Sequence, residues 1–241
     1  YVFLVDEAHN LVDRSREMFS AVFNKSPVLE ARRLIKEKSN PLYKILNRIN
    51  SHMLKLKKSC VEGYFVKNEN DDKLLGLILK LVDRAGKWLI SNFAHSGYDT
   101  VLRLYFDALA YIKISDFYDE RFVTLVQTKG KELTVKLFCL DPSYLLNAAS
   151  KRGRASVYFS ATLAPIAYFR NILGGNDSDR LLELESPFER RNLQLLIANK
   201  ISTKFRDRSA SITSVSEMIE TLVKNKKGNY IIYFPSYKYM Q

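Results

Sequence analysis

Apolar residues along this chain follow two different periods, which divide it into strand-like and helix-like stretches. The opening YVFLV is a continuous run of β-branched, aromatic and aliphatic residues, typical of a short strand buried on both faces. Between about residues 15 and 118, apolar residues recur three and four positions apart, as on one face of a helix. The pattern predicts a strand followed by a helical block, with the polar segment VKNENDD as a loop inside it.

Two long helices stand out within this block. In SNPLYKILNRINSHMLKLKK, Asn40 is a suitable N-cap and Pro41 occupies the first helical position. DDKLLGLILKLVDRAGKWLISNF starts with acids, which suit the positive end of a helix dipole. The positions predicted to face the core are Leu42, Ile45, Leu46, Ile49 and Met53 in the first helix, and Leu74, Ile78, Leu81, Ala85 and Trp88 in the second.

After residue 121 the strand period returns. RFVTLVQTKGKELTVKLFCL predicts two strands joined near Gly130, with Leu133, Val135, Leu137 and Cys139 on one face. A short helix ending at Gly153, the strand RASVYFSATL and the helix IAYFRNILGG follow. Further strands are predicted in DRLLELESPF, NLQLLIAN and NYIIYFPSY, with an amphipathic helix in SASITSVSEMIETLVKNKKG. This order predicts an α/β fold with a mainly helical insertion.

The charge of the chain narrows the range of partners. Its net charge is +12, so an anionic partner such as nucleic acid is expected. The excess is uneven, because residues 30–58 hold nine Lys or Arg against two acids. No apolar run approaches the length of a membrane span, and no signal peptide is predicted at the start. Two isolated cysteines, Cys60 and Cys139, suggest a reducing, cytoplasmic setting.

The acidic pair Asp6-Glu7 directly follows the first apolar strand. Ligands of open α/β sheets bind at the carboxyl ends of the strands, so these acids are expected at the chemically active edge. Nucleotide hydrolysis needs one carboxylate to hold a magnesium ion and a second group to orient the attacking water. The pair could divide these tasks, although acids after a strand are also common at helix starts.

Several short segments resemble motifs of the XPD/DinG-type DEAH-box DNA helicases of superfamily 2. DEAHN resembles their Walker B motif, and YFSATL, about 150 residues later, resembles their motif III. LESPF, KISTKFRDRS and YIIYFPSYKYM resemble three further segments, the last of them motif IV. The motifs occur in the family's order, and the helical block occupies the place of the family's arch domain.

The resemblance implies a role for each matching residue and a use of ATP with Mg²⁺. Asp6 would hold the magnesium ion, Glu7 would act as general base, and His9 would link the nucleotide site to motif III. Ser160, Ala161 and Thr162 would couple hydrolysis to strand movement.

The resemblance also implies parts of two RecA-like motor domains. Residues 1–14 would carry the Walker B strand, residues 15–121 the arch-type insertion, and residues 122–165 the remainder of the first motor domain. Residues 166–241 would begin the second motor domain.

The chain departs from the family pattern in two respects. It contains no G-x-x-x-x-G-K-[ST] phosphate-binding loop, so we expect a fragment of a longer helicase that is inactive by itself. Many family members carry an iron–sulfur cluster held by four clustered cysteines, which the two isolated cysteines of this chain would not ligate. Such a cluster, or a nuclease domain, could belong to the intact protein.

Single-stranded or forked DNA is the expected partner, with translocation from 5′ to 3′ if the family rule holds. A basic groove combined with aromatic stacking binds single strands. The candidate contacts are Lys151, Arg152 and Arg154 before motif III, Arg190 and Arg191, Ser236 and Tyr237 at motif IV, and Lys55, Lys57 and Lys58 in the insertion. Three alternatives stay open: a DNA-binding or scaffold module with a vestigial Walker B motif, a helicase–nuclease fusion, and an RNA-directed motor.

Overall fold

The computed structural model describes residues 1–35 and 37–241. The chain divides into two compact units, Tyr1–Leu181 and Leu182–Gln241. The first unit contains both sheets of the described chain and carries two separate cores. No helix within the described ranges is both long and apolar enough to cross a membrane. The mixed α/β class predicted from the sequence is confirmed.

A two-stranded parallel sheet brings the opening strand beside a strand from far along the chain. Strand β1 (Val2–Val5) pairs with β6 (Ala155–Tyr158), in a register that sets Val5 opposite Tyr158. Two backbone hydrogen bonds continue the pairing past the strand ends: the Phe159 N–H donates to the Val5 carbonyl (3.0 Å), and the Ala8 N–H donates to the Phe159 carbonyl (3.1 Å). Parallel strands require a long crossover, and here the crossover contains the whole insertion.

Three helices pack beside this pair and form its small core. They are α1 (Leu11–Met18), α6 (Ser143–Ser150) and α7 (Ile166–Ile172). The buried residues of this core are Ala8, Val12, Leu146 and Leu173. Helix α7 contributes to this core, and the first compact unit extends to Leu181.

The crossover forms an α/β subdomain, hereafter the insertion (Ala21–Cys139), with a four-stranded antiparallel sheet in the order β2-β5-β4-β3. Its strands are β2 (Ala21–Asn24), β3 (Tyr64–Lys67), β4 (Phe122–Lys129) and β5 (Glu132–Cys139). Its helices are α2 (Lys25–Leu34), α3 (Pro41–Lys58), α4 (Asp72–Ser91) and α5 (Tyr98–Ser115). One large core joins the helices to the sheet.

The β4–β5 hairpin, which the sequence assigns to the first motor domain, pairs with β2 and β3 and completes the sheet of the insertion. The secondary structure expected for β2 and β3 is wrong. β2 and β3 lie in stretches predicted as helix and polar loop. Both are only four residues long, too short for an alternating pattern to show, and their partner strands lie far away in the sequence.

The predictions for the two long helices and the hairpin are confirmed. The Asn40 side chain caps α3 by accepting a hydrogen bond from the Leu42 N–H (2.9 Å), with Pro41 at the first helical position. Asp71 caps α4 by accepting from the Leu74 N–H (2.9 Å). Every core position predicted in α3, α4 and β5 is buried.

The second unit contains helix α8 (Arg208–Asn225), as predicted, and the short helix α9 (Tyr237–Met240). The strands predicted in DRLLELESPF, NLQLLIAN and NYIIYFPSY are wrong, since no strand is present between residues 182 and 241. Their apolar side chains are exposed, with Ile197 78% and Ile231 79% accessible. A strand exists only through pairing of its backbone groups, and these segments do not pair with each other.

Candidate active site

The candidate site lies where β1 and β6 end side by side. Because the strands are parallel and in register, the residues that follow them emerge at the same edge of the sheet. Asp6 and Glu7 follow β1, and Ser160 follows β6. Strand pairing thus brings together Glu7 and Ser160, which are 153 positions apart in the sequence.

A left-handed turn at Glu7 ends β1. Glu7 has φ 49° and ψ 42°, a conformation that few residues other than glycine adopt. The Glu7 N–H donates to the Asp6 carboxylate Oδ1 (2.7 Å), and fully buried Ala8 anchors the following turn. Strained backbone conformations at residues other than glycine concentrate at functional sites, so the turn at Glu7 supports a functional site at this edge of the sheet.

Glu7, His9, Ser160 and Thr162 form one hydrogen-bonded cluster. The Ser160 hydroxyl donates to Glu7 Oε2 (3.0 Å), and the Thr162 N–H donates to Ser160 Oγ (3.2 Å). His9 Nδ1 lies 2.8 Å from Ser160 Oγ, 3.0 Å from Thr162 Oγ1 and 3.2 Å from Glu7 Oε2. Because Ser160 uses its only proton on Glu7, the contact from His9 requires the proton to be on Nδ1.

The cluster is open to solvent on one side. The side chains of His9 and Glu7 are 33% and 60% exposed, and Asp6 is also exposed. Glu7 Oε1 and Asp6 Oδ2 have no hydrogen-bond partner in the part of the chain that the structure describes. Two carboxylate oxygens are therefore available to a ligand at this edge, while Glu7 Oε2 is held in place.

The remaining predicted site residues of the first unit lie elsewhere. Ala161 is exposed in the turn between Ser160 and Thr162. Lys151 and Arg152 follow α6, and Arg154 precedes β6, with its N–H bonded to the Tyr1 carbonyl (2.9 Å). These three basic residues are at the amino end of the parallel pair, so the structure does not bring them to the Glu7 cluster.

In the second unit, Ser236 and Tyr237 begin helix α9. Ser236 caps the helix by accepting from the Tyr239 N–H (3.3 Å), and the Tyr237 ring is 83% exposed. Arg208 donates to Ser236 Oγ (3.3 Å) and to the Thr203 carbonyl (3.1 Å). Arg208 and Thr203 both belong to KISTKFRDRS, which resembles a family motif, and these contacts bring that segment beside Ser236.

Asp6 is chemically suited to a magnesium ion. Mg²⁺ in nucleotide sites is held by one or two carboxylates, with phosphates and water completing its shell. An exposed carboxylate with one free oxygen at the end of a strand meets that requirement. No group of three or more His, Cys, Asp or Glu side chains is assembled for a metal within residues 1–35 and 37–241, so such an ion would depend on the nucleotide.

The two cysteines do not form a cluster site. A cluster needs four thiolates, whereas Cys139 ends β5 inside the large core and Cys60 follows α3. Burial raises the pKa of the Cys139 thiol to about 11 and also raises the pKa of Cys60. Both thiols are therefore less readily ionised than an exposed cysteine.

Comparison with known proteins identifies a fold. No protein-family model matches the chain, and no curated protein matches it in sequence. Among solved structures it is similar to an XPD helicase, with a TM-score of 0.51 and 17% sequence identity. The similarity covers 100% of this chain and 42% of that one, so the chain spans less than half the length of the helicase. The chain therefore has a helicase-like fold.

Proposed function

We propose that this chain is part of an ATP-dependent DNA helicase of the XPD/DinG type, which hydrolyses Mg²⁺-ATP to move along single-stranded DNA. The observation that carries the proposal is the hydrogen-bonded cluster of Glu7, His9, Ser160 and Thr162 at the carboxyl edge of β1 and β6. The similarity to an XPD helicase supports the helicase-like fold. The residues in the cluster are those of the DEAHN and SAT segments.

In this proposal the two acids have different tasks. Asp6 would hold the magnesium ion, which neutralises charge on the transferred phosphoryl group. Glu7 would accept the proton of the attacking water at Oε1, the oxygen without a partner among the described residues. The hydroxyl of Ser160 holds Oε2, so the carboxylate keeps a defined orientation toward the site.

The same contacts offer a route from hydrolysis to strand movement. When Glu7 takes up a proton, its Oε2 becomes a weaker acceptor for the Ser160 hydroxyl. Ser160 and Thr162 follow β6 and share His9 as a neighbour. A change of charge at Glu7 would therefore alter the hydrogen bonding of the turn after β6, which is the coupling role proposed for Ser160, Ala161 and Thr162.

DNA is the proposed partner because the chain is strongly basic, with a net charge of +12. The exposed ring of Tyr237 could stack on a base, and Ser236 beside it could contact a phosphate. In the first unit, Lys151, Arg152 and Arg154 are exposed around the amino end of β6 and would contact phosphates there. The 5′-to-3′ direction rests on the resemblance to the family.

The decisive experiment measures ATP hydrolysis by a protein that contains this chain together with a phosphate-binding loop, with and without single-stranded DNA. Glu7→Gln keeps the shape of the side chain and removes the base, so turnover should fall by about 10²–10⁴-fold while nucleotide still binds. The matched control is Asp13→Asn, which neutralises an acid on α1 that is 88% exposed and outside the cluster.

Hydrolysis by Glu7→Gln at the rate of the wild type would refute the role of Glu7. DNA binding without any turnover, in both wild type and variant, would instead support a scaffold with a vestigial Walker B motif. Ser160→Ala tests positioning and coupling together: we expect its basal hydrolysis to fall, because Glu7 Oε2 loses the hydroxyl that holds it, and its stimulation by DNA to fall further.

A further inference from the structure

Helix α3 carries a continuous basic stripe on its solvent side. Positions 44, 48, 51, 55 and 58 follow one another at intervals of three and four residues, so they share one helix face. All five are exposed, and four are cationic: Lys44, Arg48, Lys55 and Lys58. At a rise of about 1.5 Å per residue the stripe is about 21 Å long.

Helix stability does not account for this stripe. Cations favour the last turn of a helix, which explains Lys55 and Lys58, but near the first turn they oppose the dipole. Lys44 and Arg48 lie in the first two turns, and the first turn of α3 contains no acid. Lys44 and Arg48 are also four residues apart, a spacing at which like charges repel. The helix thus tolerates unfavourable charge in its first two turns.

The cations of the stripe are not neutralised by neighbours. Within residues 1–35 and 37–241, none of the four forms an ion pair. α3 contains no acidic residue at all. By contrast, α4 carries two acids beside four bases and α5 two acids beside two bases, and Lys87 of α4 pairs with Asp83 at 2.7 Å. The excess charge is therefore a local property of this face.

Two open depressions adjoin the last turns of α3. One, of about 550 Å³, is lined by Ser51, Leu54 and the three lysines at positions 55, 57 and 58. Lys57 also lines a second depression of about 520 Å³, whose other charged lining residues are Lys25, Glu30 and Arg33 of α2 and Lys131 of the hairpin turn. Its ammonium donates to the Gly130 carbonyl (3.2 Å), which ties α3 to that turn.

The chemistry of this face favours a nucleic-acid backbone over an acidic protein. Protein interfaces are depleted in lysine and enriched in aromatic residues, whereas nucleic-acid interfaces are polar and strongly positive. The stripe presents only long cationic side chains and Ser51. The single Phe, Tyr or Trp residue of α3, Tyr43, packs against the large core and is not available for stacking on bases.

We propose that the α3 stripe binds the phosphate backbone of duplex DNA, such as the double-stranded arm of a forked substrate. Proteins hold single strands by combining cations with aromatic side chains that stack on the bases, and the stripe has no aromatic side chain among its exposed residues. Duplex backbones need only cations at suitable spacing, and the contact is independent of base sequence. The insertion would thereby hold the duplex, a task separate from hydrolysis at the Glu7 cluster.

The test uses the 241-residue chain without nucleotide and a blunt-ended, fluorescently labelled duplex of about two helical turns. Fluorescence anisotropy measures binding at salt concentrations between about 50 and 200 mM. The stripe variant removes four charges: Lys44→Gln, Arg48→Gln, Lys55→Gln and Lys58→Gln. We expect at least a tenfold loss of affinity at low salt. The slope of log K against log salt should become shallower by about 0.9 for each phosphate that the variant no longer neutralises.

A matched control removes the same number of charges from α4 and α5. It combines Lys73→Gln, Lys80→Gln, Arg103→Gln and Lys113→Gln, all at exposed positions. Both variants have the same net charge. A loss of binding in the stripe variant, with none in the control, would therefore show that the site is local to the stripe. Far-UV circular dichroism checks that both keep the helical content of the wild type.

Three results would overturn the proposal. An equal loss in the control would assign binding to net charge. If the stripe variant lost as much affinity for a single-stranded oligonucleotide as for the duplex, the choice of duplex would be contradicted. If polyglutamate displaced the labelled duplex as effectively as unlabelled duplex does, the partner would be an acidic protein instead. Glu7→Gln should bind the duplex as the wild type does, so failure of the proposed hydrolysis would leave this test unaffected.

Discussion

Replacement of Gly174 by alanine should destabilise the small core that supports the candidate site. Gly174 ends α7 with φ +84°, and its carbonyl accepts a hydrogen bond from the Asn147 side chain (2.6 Å). A Cβ atom at this position would lie 2.4 Å from the Ser143 carbonyl oxygen and 2.7 Å from the Asn147 backbone nitrogen. Both are backbone atoms of α6 and cannot rotate away, so the two helices would have to separate.

The size of the effect follows from two contributions and one offset. A left-handed backbone costs an L-residue about 1–2 kcal/mol, and overpacking a filled site costs about 1–3 kcal/mol. The smaller entropy of the unfolded alanine chain offsets about 0.4–1 kcal/mol. We therefore expect Gly174→Ala to lower the free energy of unfolding by about 2–4 kcal/mol.

Urea unfolding followed by circular dichroism measures this change. With an m-value of about 2 kcal/mol/M, the midpoint of the transition should fall by about 1–2 M. Gly76→Ala is the matched control, because Gly76 lies within α4 and a Cβ there would meet nothing within 4 Å. Alanine is the better helix former by about 0.8–1 kcal/mol, so this substitution should raise the midpoint by roughly half a molar.

An unchanged or higher midpoint for Gly174→Ala would refute the reasoning, since it would mean that α6 and α7 do not approach as closely as described. A fall of equal size in both variants would also refute it, because a general intolerance of alanine for glycine would then explain the result. Opposite signs for the two substitutions are the specific expectation.

Two further predictions concern the insertion. Glu132 caps α2 by accepting hydrogen bonds from the N–H groups of Lys25 (3.0 Å) and Ser26 (3.1 Å). Burial by itself would raise the pKa of Glu132. These two bonds and the bond from the Ser26 hydroxyl outweigh burial and lower the pKa below 4.5. Glu132→Gln should therefore lower the free energy of unfolding by about 1–2 kcal/mol at pH 7. In denaturation measured as a function of pH, the advantage of the wild type should disappear as the pH falls below 4.5 through the lowered pKa. A difference in stability that persists at pH 2 would contradict the cap. The Tyr111 hydroxyl is buried without a hydrogen-bond partner in the described ranges, so Tyr111→Phe should leave the melting temperature unchanged or raise it, and a marked fall would reveal a missed partner.

The candidate site illustrates the limit of sequence-based reasoning. The acids after β1 and the Ser-Ala-Thr segment after β6 were both recognised, and each was expected at a strand end. The cluster depends in addition on the left-handed turn at Glu7 and on the contacts of His9 Nδ1. Only pairing of β1 with β6 determines these features, because no local pattern specifies which distant residue a side chain will meet.

The α3 stripe shows the same limit. Basic runs are visible in the sequence and point to Lys55, Lys57 and Lys58 of α3, but Lys44 and Arg48 lie outside those runs. Helical spacing places these residues on one face, whereas the absence of neutralising partners among the described residues is a property of the packed helices. Charge content can be read from the sequence, but charge density on a surface depends on which faces are buried.

The sequence by itself determined the local structure of this protein: the caps of α3 and α4, the buried faces of both helices, and the hairpin around Gly130. These features depend on side chains and backbone groups within a few residues of one another. Tertiary structure alone decided that the hairpin pairs with β2 and β3, and that the segments near Ile197 and Ile231 form no strand. Strand pairing is a contact between distant segments, so an apolar alternating stretch becomes a strand only where a partner presents its free backbone groups.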